Sequence, residues 1–525
     1  MKTTSRRCLA IGLTFAAAVF LSELGWAARA GGLPLAARQG IRQPGASSAA
    51  AAGAPERSVI THGSVQIGGS RIAYTARAGT LTLRNGRNEP IASEFYVAYT
   101  KDGVSDKSRR PISFLYNGGP GSSTVWLHMG AFGPRRVVTP DAQIAPPAPY
   151  QLVNNDASLL DKSDLVFVDA VGTGFSTIEG KGTPKDFFGV DEDIAAFGQF
   201  IERFLTANDR WNSPKFLVGE SYGTTRSAGV VDYLQRRGVA FNGVVLISSI
   251  LNFANEATGV GGSDMGYVLY LPTLAASAWY HGKLPHKPAD LGQFLQSVRR
   301  FALGDYARAL MQGADLSRAE RANVLRALHE YTGISEKYYD QADLRLDYER
   351  FQKELLRDQR LTVGRLDSRF VALDLDINGE SPEFDPADNA FNAAFTAAFH
   401  TYVRNSLGYK SDYPYHITNY PVVGKAWNWK RKNDPLSAPN VSGDLRDAMT
   451  RNPRLRVFSA NGYFDFATPF FETDYTLSHL ALDPSLRGHI AYGYYQSGHM
   501  IYLHPASAAK LHSDLSAFYD AAGAP

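Results

Sequence analysis

Gly219-Glu220-Ser221-Tyr222-Gly223 is a G-x-S-x-G pattern that follows the apolar run KFLV and precedes a helical pattern. A serine on a tight strand-to-helix turn is lifted clear of a sheet, and small residues two positions either side let the turn close. The next backbone N–H, from Tyr222, then opens a helix and can help hold an oxyanion. The competing reading is a glycine-rich turn with an incidental serine. A serine nucleophile needs a base, and the base needs an orienting acid. In sheets of this kind the chain order is Ser, then Asp or Glu, then His. The chain has 12 histidines. His281, His286 and His329 fall in a helical middle region, His400 at its end, and His479 and His512 in helical patterns. His499, in Ser497-Gly498-His499-Met500, follows the run HIAYGYYQ, with His504 its nearest rival. Loops at the carboxyl ends of strands are where ligands and catalysis gather in open α/β sheets. Asp465 likewise follows LRVFSA, whereas Asp474 falls in a later helical stretch. Order and placement select Ser221, Asp465 and His499 as a catalytic triad for acyl transfer.

A second glycine motif, Asn117-Gly118-Gly119-Pro120-Gly121-Ser122-Ser123, comes directly after ISFLY. Adjacent glycines after a strand let backbone N–H groups approach a substrate oxygen, so the other oxyanion donor is expected here. A phosphate-binding loop is the rival reading. No Lys-Ser/Thr follows, however, and Pro120 removes a donor.

These loops need a sheet to hold them. From residue 57 the chain alternates in strand fashion with glycine turns (SVQIGGSRIAYTARAGTLTLR, then EFYVAYT at 94–100), which suggests an antiparallel meander. Buried-strand runs follow at 112–116, 164–170, 215–219, 243–248, 455–460 and 489–495. Amphipathic helices at 191–205 and 225–237 lie between them. The pattern predicts an α/β fold with a mostly parallel central sheet and helices on both faces. Runs vanish between 253 and 410, where helical patterns dominate, so a mainly helical insertion, or cap, is expected. The core is then split into 57–252 and 411–525.

The 525 residues are 44% hydrophobic and 20% charged, with a formal net charge of +3. That excludes a disordered chain, and the even balance gives no electrostatic footprint for nucleic acid. The single cysteine, Cys8, excludes an intramolecular disulfide and multi-cysteine metal sites. Lys2, Arg6 and Arg7 precede an uncharged run at 8–22, and Ala28-Arg29-Ala30 follows. The run is short of the ~20 residues a spanning helix needs. Residues 1–30 read as a signal peptide cut after Ala30, by Sec or Tat export. Cys8 opens the apolar run where a lipoprotein cysteine would close it. Residues 31–56, rich in Ala, Gly, Pro and Ser, read as a flexible linker. The expectation is an exported protein, periplasmic or secreted, with no integral membrane segment after cleavage.

The ordered motifs NGGPGSS, VDAVGTGFS (168–176), GESYG, GYFDFATP (462–469) and SGHM resemble the serine carboxypeptidase family of α/β-hydrolases, especially its bacterial branch. The likeness runs from about 94 to 507. It implies an α/β-hydrolase fold and a cofactor-free exopeptidase that removes C-terminal residues through an acyl-enzyme. Ser221 would be the nucleophile, His499 the base and Asp465 its orienter, with Gly119 and Tyr222 N–H groups as oxyanion hole. Asn117, Gly118 and Glu220 match positions that hold the substrate carboxylate. The resemblance also implies a second acid that pairs with that glutamate, and counting places it at Ala131. The family's cysteine in the same loop is Ser122 here. Less like-charge repulsion on Glu220, weaker carboxylate binding and a less sharp acid optimum are therefore expected. An esterase or acyltransferase on the same triad is the alternative, and a noncatalytic binding protein the second rival. The partner is a peptide or small acyl substrate; oligomeric state and side-chain preference stay open, although Trp126, Tyr222 and insertion aromatics could line a pocket. Asp374, Asp376, Asn378 and Glu380 imitate half a calcium loop. Pro382 and Asp385 spoil its second half, so an acidic loop, and no metal, is expected.

Overall fold

The computed structural model describes residues 55–523, except 259–262, 433, 435 and 437. The expected signal peptide and residues 31–54 of the expected linker lie outside the described residues. Nine strands form the path of the main sheet: β1 (Ser58–Ile67), β2 (Ser70–Arg84), β3 (Pro90–Lys101), β4 (Ile112–Tyr116), β5 (Asp164–Val168), β6 (Lys215–Ser221), β7 (Gly243–Ser249), β8 (Arg456–Gly462) and β9 (Ile490–Tyr495). Their spatial order is β1-β2-β3-β5-β4-β6-β7-β8-β9, and Thr177–Ile178 adds a short tenth strand beside β3. The meander β1-β2-β3 is antiparallel and joins β5 antiparallel. From β5 onward every pairing is parallel.

The apolar runs form strands because they are covered twice. All five residues of β4 and all five of β5 are buried. Side chains alternate between faces. Phe216, Val218, Val245 and Ile247 join one apolar cluster, and Leu217, Val244 and Leu246 join the other. On the second face lie α1 (Val190–Ala207) and α2 (Tyr222–Gln235), through Phe197, Phe200, Val230 and Val231. The helix expected at 225–237 thus starts three residues earlier, because the turn at Ser221 opens directly into it.

The middle region packs in two ways. Residues from α3 (Met265–Tyr280) to Val363 build a cluster of their own, which also takes in Phe464, Phe466 and Phe470. By contrast α4 (Pro386–Asn405) lays Phe391, Phe395 and Phe399 in the first sheet cluster, beside Leu511 and Leu515 of α5 (Pro505–Ala521). A two-stranded sheet, Leu361–Val363 with Val371–Leu373, lies between them.

The acidic loop after that sheet is organised by a side chain. Lys353 Nζ donates to Asp374 Oδ1 at 2.5 Å and to the Asp376 carbonyl at 2.6 Å, with Glu383 Oε1 at 3.5 Å. Both the Lys353 and Asp374 side chains are fully buried. Asp385 does not face the loop: it caps α4 through the Ala387 N–H. Removing one member of a buried pair strands the other charge. Lys353→Met should therefore lower unfolding free energy by about 3–5 kcal/mol, and adding Asp374→Asn should recover much of it. Urea melts of both variants test this; a Lys353→Met loss no larger than that of a surface substitution, about 0.5 kcal/mol, would contradict it.

Candidate active site

Ser221 ends β6 and caps α2 with φ 60° and ψ −131°. A non-glycine residue at positive φ costs about 1–3 kcal/mol and persists only where its surroundings fix it. Here the Thr224 hydroxyl donates to the Ser221 carbonyl at 2.7 Å, and the loop after β4 presses on the helix start. A Cβ on Gly118 would stand 2.4 Å from Tyr222 N, so only glycine allows that approach. Gly119, at φ +107°, continues the same loop. Gly118, Gly119 and the first turn of α2 are thus neighbours.

Asp465 and His499 come from the carboxyl ends of β8 and β9, and the structure joins them. His499 Nδ1 lies 2.8 Å from Asp465 Oδ2. Asp465 has no exposed surface. Its Oδ1 accepts the N–H groups of Ala467 (2.8 Å) and Thr468 (3.0 Å), and its Oδ2 the Thr468 hydroxyl (2.7 Å). With a proton on Nδ1, the histidine's Nε2 is left as an acceptor. A bulge in β7 lies between Ser221 and His499. The β6–β7 ladder slips between Ile247 and Ser249, so Ser249 opposes Ser221. Ser248, turned out at φ 49°, donates its hydroxyl to the His499 carbonyl at 2.7 Å. Burial lowers the His499 pKa, but the Asp465 charge and hydrogen bond, with Glu220, outweigh it and leave it raised above 6.5.

Glu220, 2% exposed, sits beside this pair. Its Oε1 accepts Asn117 Nδ2 at 2.6 Å and the Tyr502 hydroxyl at 3.3 Å. Its Oε2 is buried without a partner among the described residues. Burial, first, pushes the carboxyl up to about 7; Asp465 adds to this, while His499, Tyr502 and Asn117 oppose it. Asn117 is itself held, since its Oδ1 accepts the Leu127 N–H at 3.0 Å. Ala131 lies buried in the single helical turn Leu127–Phe132, among apolar neighbours. A raised Glu220 pKa therefore arises here without a paired acid. Ser122 Oγ lies 3.0 Å from the Tyr420 hydroxyl.

The aromatics divide. Trp126 belongs to the sheet's apolar cluster. Tyr222 meets Trp427 edge-on at 5.3 Å, and Phe253 lies 5.3 Å from Trp429. The tryptophan neighbours of Tyr222 thus come from the chain after residue 410, not from the helical region.

Sequence reasoning missed what lies beneath. Arg226 is fully buried, with its guanidinium 4.1 Å over the Phe197 ring. It donates to the Asn117 carbonyl (2.8 Å) and to both oxygens of Asp193 (2.8 and 3.2 Å). A lone arginine on the apolar face of α2, and an aspartate in the first turn of α1, were the signal available. Thr468 and Tyr502 were equally unmarked.

The family model for serine carboxypeptidases matches residues 77–496. The pheromone-processing carboxypeptidase KEX1 of Saccharomyces cerevisiae is 30% identical over 156 residues, 28% of this chain and 20% of that protein. The match thus spans about a fifth of that curated relative's length. The crystal structure of KEX1(delta)p, described as a prohormone-processing carboxypeptidase from the same yeast, superposes with a TM-score of 0.53 at 17% identity. It covers 85% of this chain and 91% of that one, and shares the α/β-hydrolase fold.

Asn117→Ala leaves the Leu127 N–H without its partner and Glu220 Oε1 with the 3.3 Å Tyr502 hydrogen bond alone. The expected loss is about 1–3 kcal/mol of unfolding free energy, read from urea melts. A change within about 0.5 kcal/mol, the scale of a surface substitution, would contradict it.

Proposed function

Because the chain belongs to the serine carboxypeptidase family, we propose that it releases C-terminal residues from peptides through an acyl-enzyme on Ser221. The observation that carries this is the buried Asp465–His499 pair at 2.8 Å beside the strained Ser221 turn. Ser221 Oγ attacks the scissile carbonyl carbon and His499 Nε2 takes its proton. Asp465 stabilises the imidazolium without itself becoming protonated. The carbonyl oxygen, now an oxyanion, draws on the N–H groups of Gly119 and Tyr222. The C–N bond breaks as His499 returns the proton to the leaving amine. Water then attacks the ester, with His499 again the base, and Ser221 is regenerated.

Glu220, Asn117 and Gly118 would receive the substrate's terminal carboxylate. Below about pH 7 Glu220 keeps its proton, and its unpartnered Oε2 can donate it. Above that it is an anion facing an anion. Burial is the largest source of this behaviour, with Asp465 adding to it, so Ala131 in place of a second acid weakens the clamp without removing it. That same Ala131 favours the second reading, an esterase or acyltransferase on the same triad. Export through a leader at 1–30 belongs to the proposal. Among the described residues no helix is long and apolar enough to cross a membrane.

Two limbs are expected in the pH profile. The activity kcat/KM should rise as His499 loses its proton, at a pKa above the ordinary 6.5. For peptides with a free C-terminus it should fall again through about 7, as Glu220 ionises. C-terminally amidated or esterified substrates should lack the falling limb, and Glu220→Gln should abolish it for free peptides. Ser221→Ala should lose on the order of 10⁶-fold in kcat. Turnover of esters or blocked C-termini alone would give the site to the second reading. Absence of a fluorophosphonate adduct on Ser221 would sink the enzyme altogether.

A further inference from the structure

The acid and base loops share a neighbour from a distant part of the chain. Residues 364–370 lie between the two short strands of the middle region. Their backbone meets both loops. The Leu366 carbonyl accepts the N–H of His499 itself, at 2.6 Å. On either side of Asp465, Phe466 N donates to the Arg365 carbonyl (3.0 Å) and the Phe464 carbonyl accepts Ser368 N (2.9 Å). The Asp367 carboxylate accepts Gly498 N at 3.1 Å. A Cβ on Gly498 would lie 2.4 Å from both the Leu366 carbonyl oxygen and Asp367 Cβ, so the base loop is glycine where this segment touches it.

The segment is fixed from behind. Asp385 accepts the N–H groups of Arg365 (3.0 Å) and Leu366 (2.9 Å). Arg369 closes on Asp367 (Nε–Oδ1 3.0 Å, Nη2–Oδ2 2.6 Å) and reaches Ser497 Oγ at 3.3 Å. Its remaining nitrogen, Nη1, holds Asp141 at 3.0 Å. Asp367 is 2% and Arg369 4% exposed. A charge-assisted pair at that depth holds its geometry firmly.

We propose that Asp367 and Arg369 are positioning residues: they lock segment 364–370 against the loops of Asp465 and His499 and set the ring's approach to Ser221. This rests on the reading of Ser221, Asp465 and His499 as the catalytic set. Neither residue touches the reacting atoms, so the effect belongs in the chemical step and not in substrate affinity. A displacement of about 1 Å at a reacting group costs about 10²-fold.

The test uses the full chain and counts functional sites by exhaustive fluorophosphonate labelling. Wild-type labelling at Ser221, abolished in Ser221→Ala, establishes the catalytic set independently. Asp367→Asn should then lower kcat per labelled site by about 10–100-fold and slow labelling by a similar factor. KM should stay within about twofold, the mark of an interaction made only in the transition state. Arg369→Lys, which keeps a cation on Asp367, should retain more activity than Arg369→Gln. Asp141→Asn, at the half-exposed outer end, should fold normally and lose about 2–5-fold in kcat, the size of a surface-exposed ion pair. It decides the matter if Asp367→Asn does not fold. Unchanged kcat per labelled site, or a loss confined to KM or to the number of labelled sites, would overturn the proposal.

Discussion

Burying Asp465 with no exposed surface obliges the chain to supply every partner that its oxygens need. An unpaired carboxylate in that position would cost several kcal/mol. Two backbone N–H groups and one hydroxyl come from the three residues that follow it, and the fourth donor is His499. The histidine ring is thereby committed to one face and one tautomer. The rest of the site can be read as the means of bringing β6 and β9 to that pair. Two parallel strands separate them, and the bulged Ser248 donates its hydroxyl to the His499 carbonyl.

Protonation in the site is shared between residues. Glu220 raises the affinity of His499 for its proton, and His499 opposes the protonation of Glu220. A change of charge on Glu220 is thus felt at His499. In this chain the glutamate's raised pKa owes most to burial, so the effect needs no second acid.

The strands of the parallel half were legible because each is buried on both faces and reads as a short apolar run. The positions of Ser221, Asp465 and His499 at or just past strand ends were legible because each ends or follows such a run. Asn117 and Glu220 came from motif likeness, and the structure brings them within a hydrogen bond. Three things were not legible. Leu366 and His499 stand far apart in sequence and meet through backbone atoms, which no side-chain pattern records. Arg226 and Asp193 stand on different helices, and no spacing pairs them until the fold buries both. The span 253–410 read as one helical block, yet α4 packs on the sheet while the earlier helices pack on one another. Periodicity reports that a helix has an apolar face, not which surface will cover it.

Lys353 has a consequence beyond its own pair. Its ammonium stands among carboxylate and carbonyl oxygens of a loop whose spacing imitates a calcium ligand set. A cation that is part of the polypeptide cannot diffuse away from its site and has a stoichiometry of one. Chelators cannot strip it, dilution cannot release it, and the mineral content of the surroundings does not set its occupancy. The segment that reaches from this loop back toward His499 is thus anchored to a counter-ion synthesised with the chain.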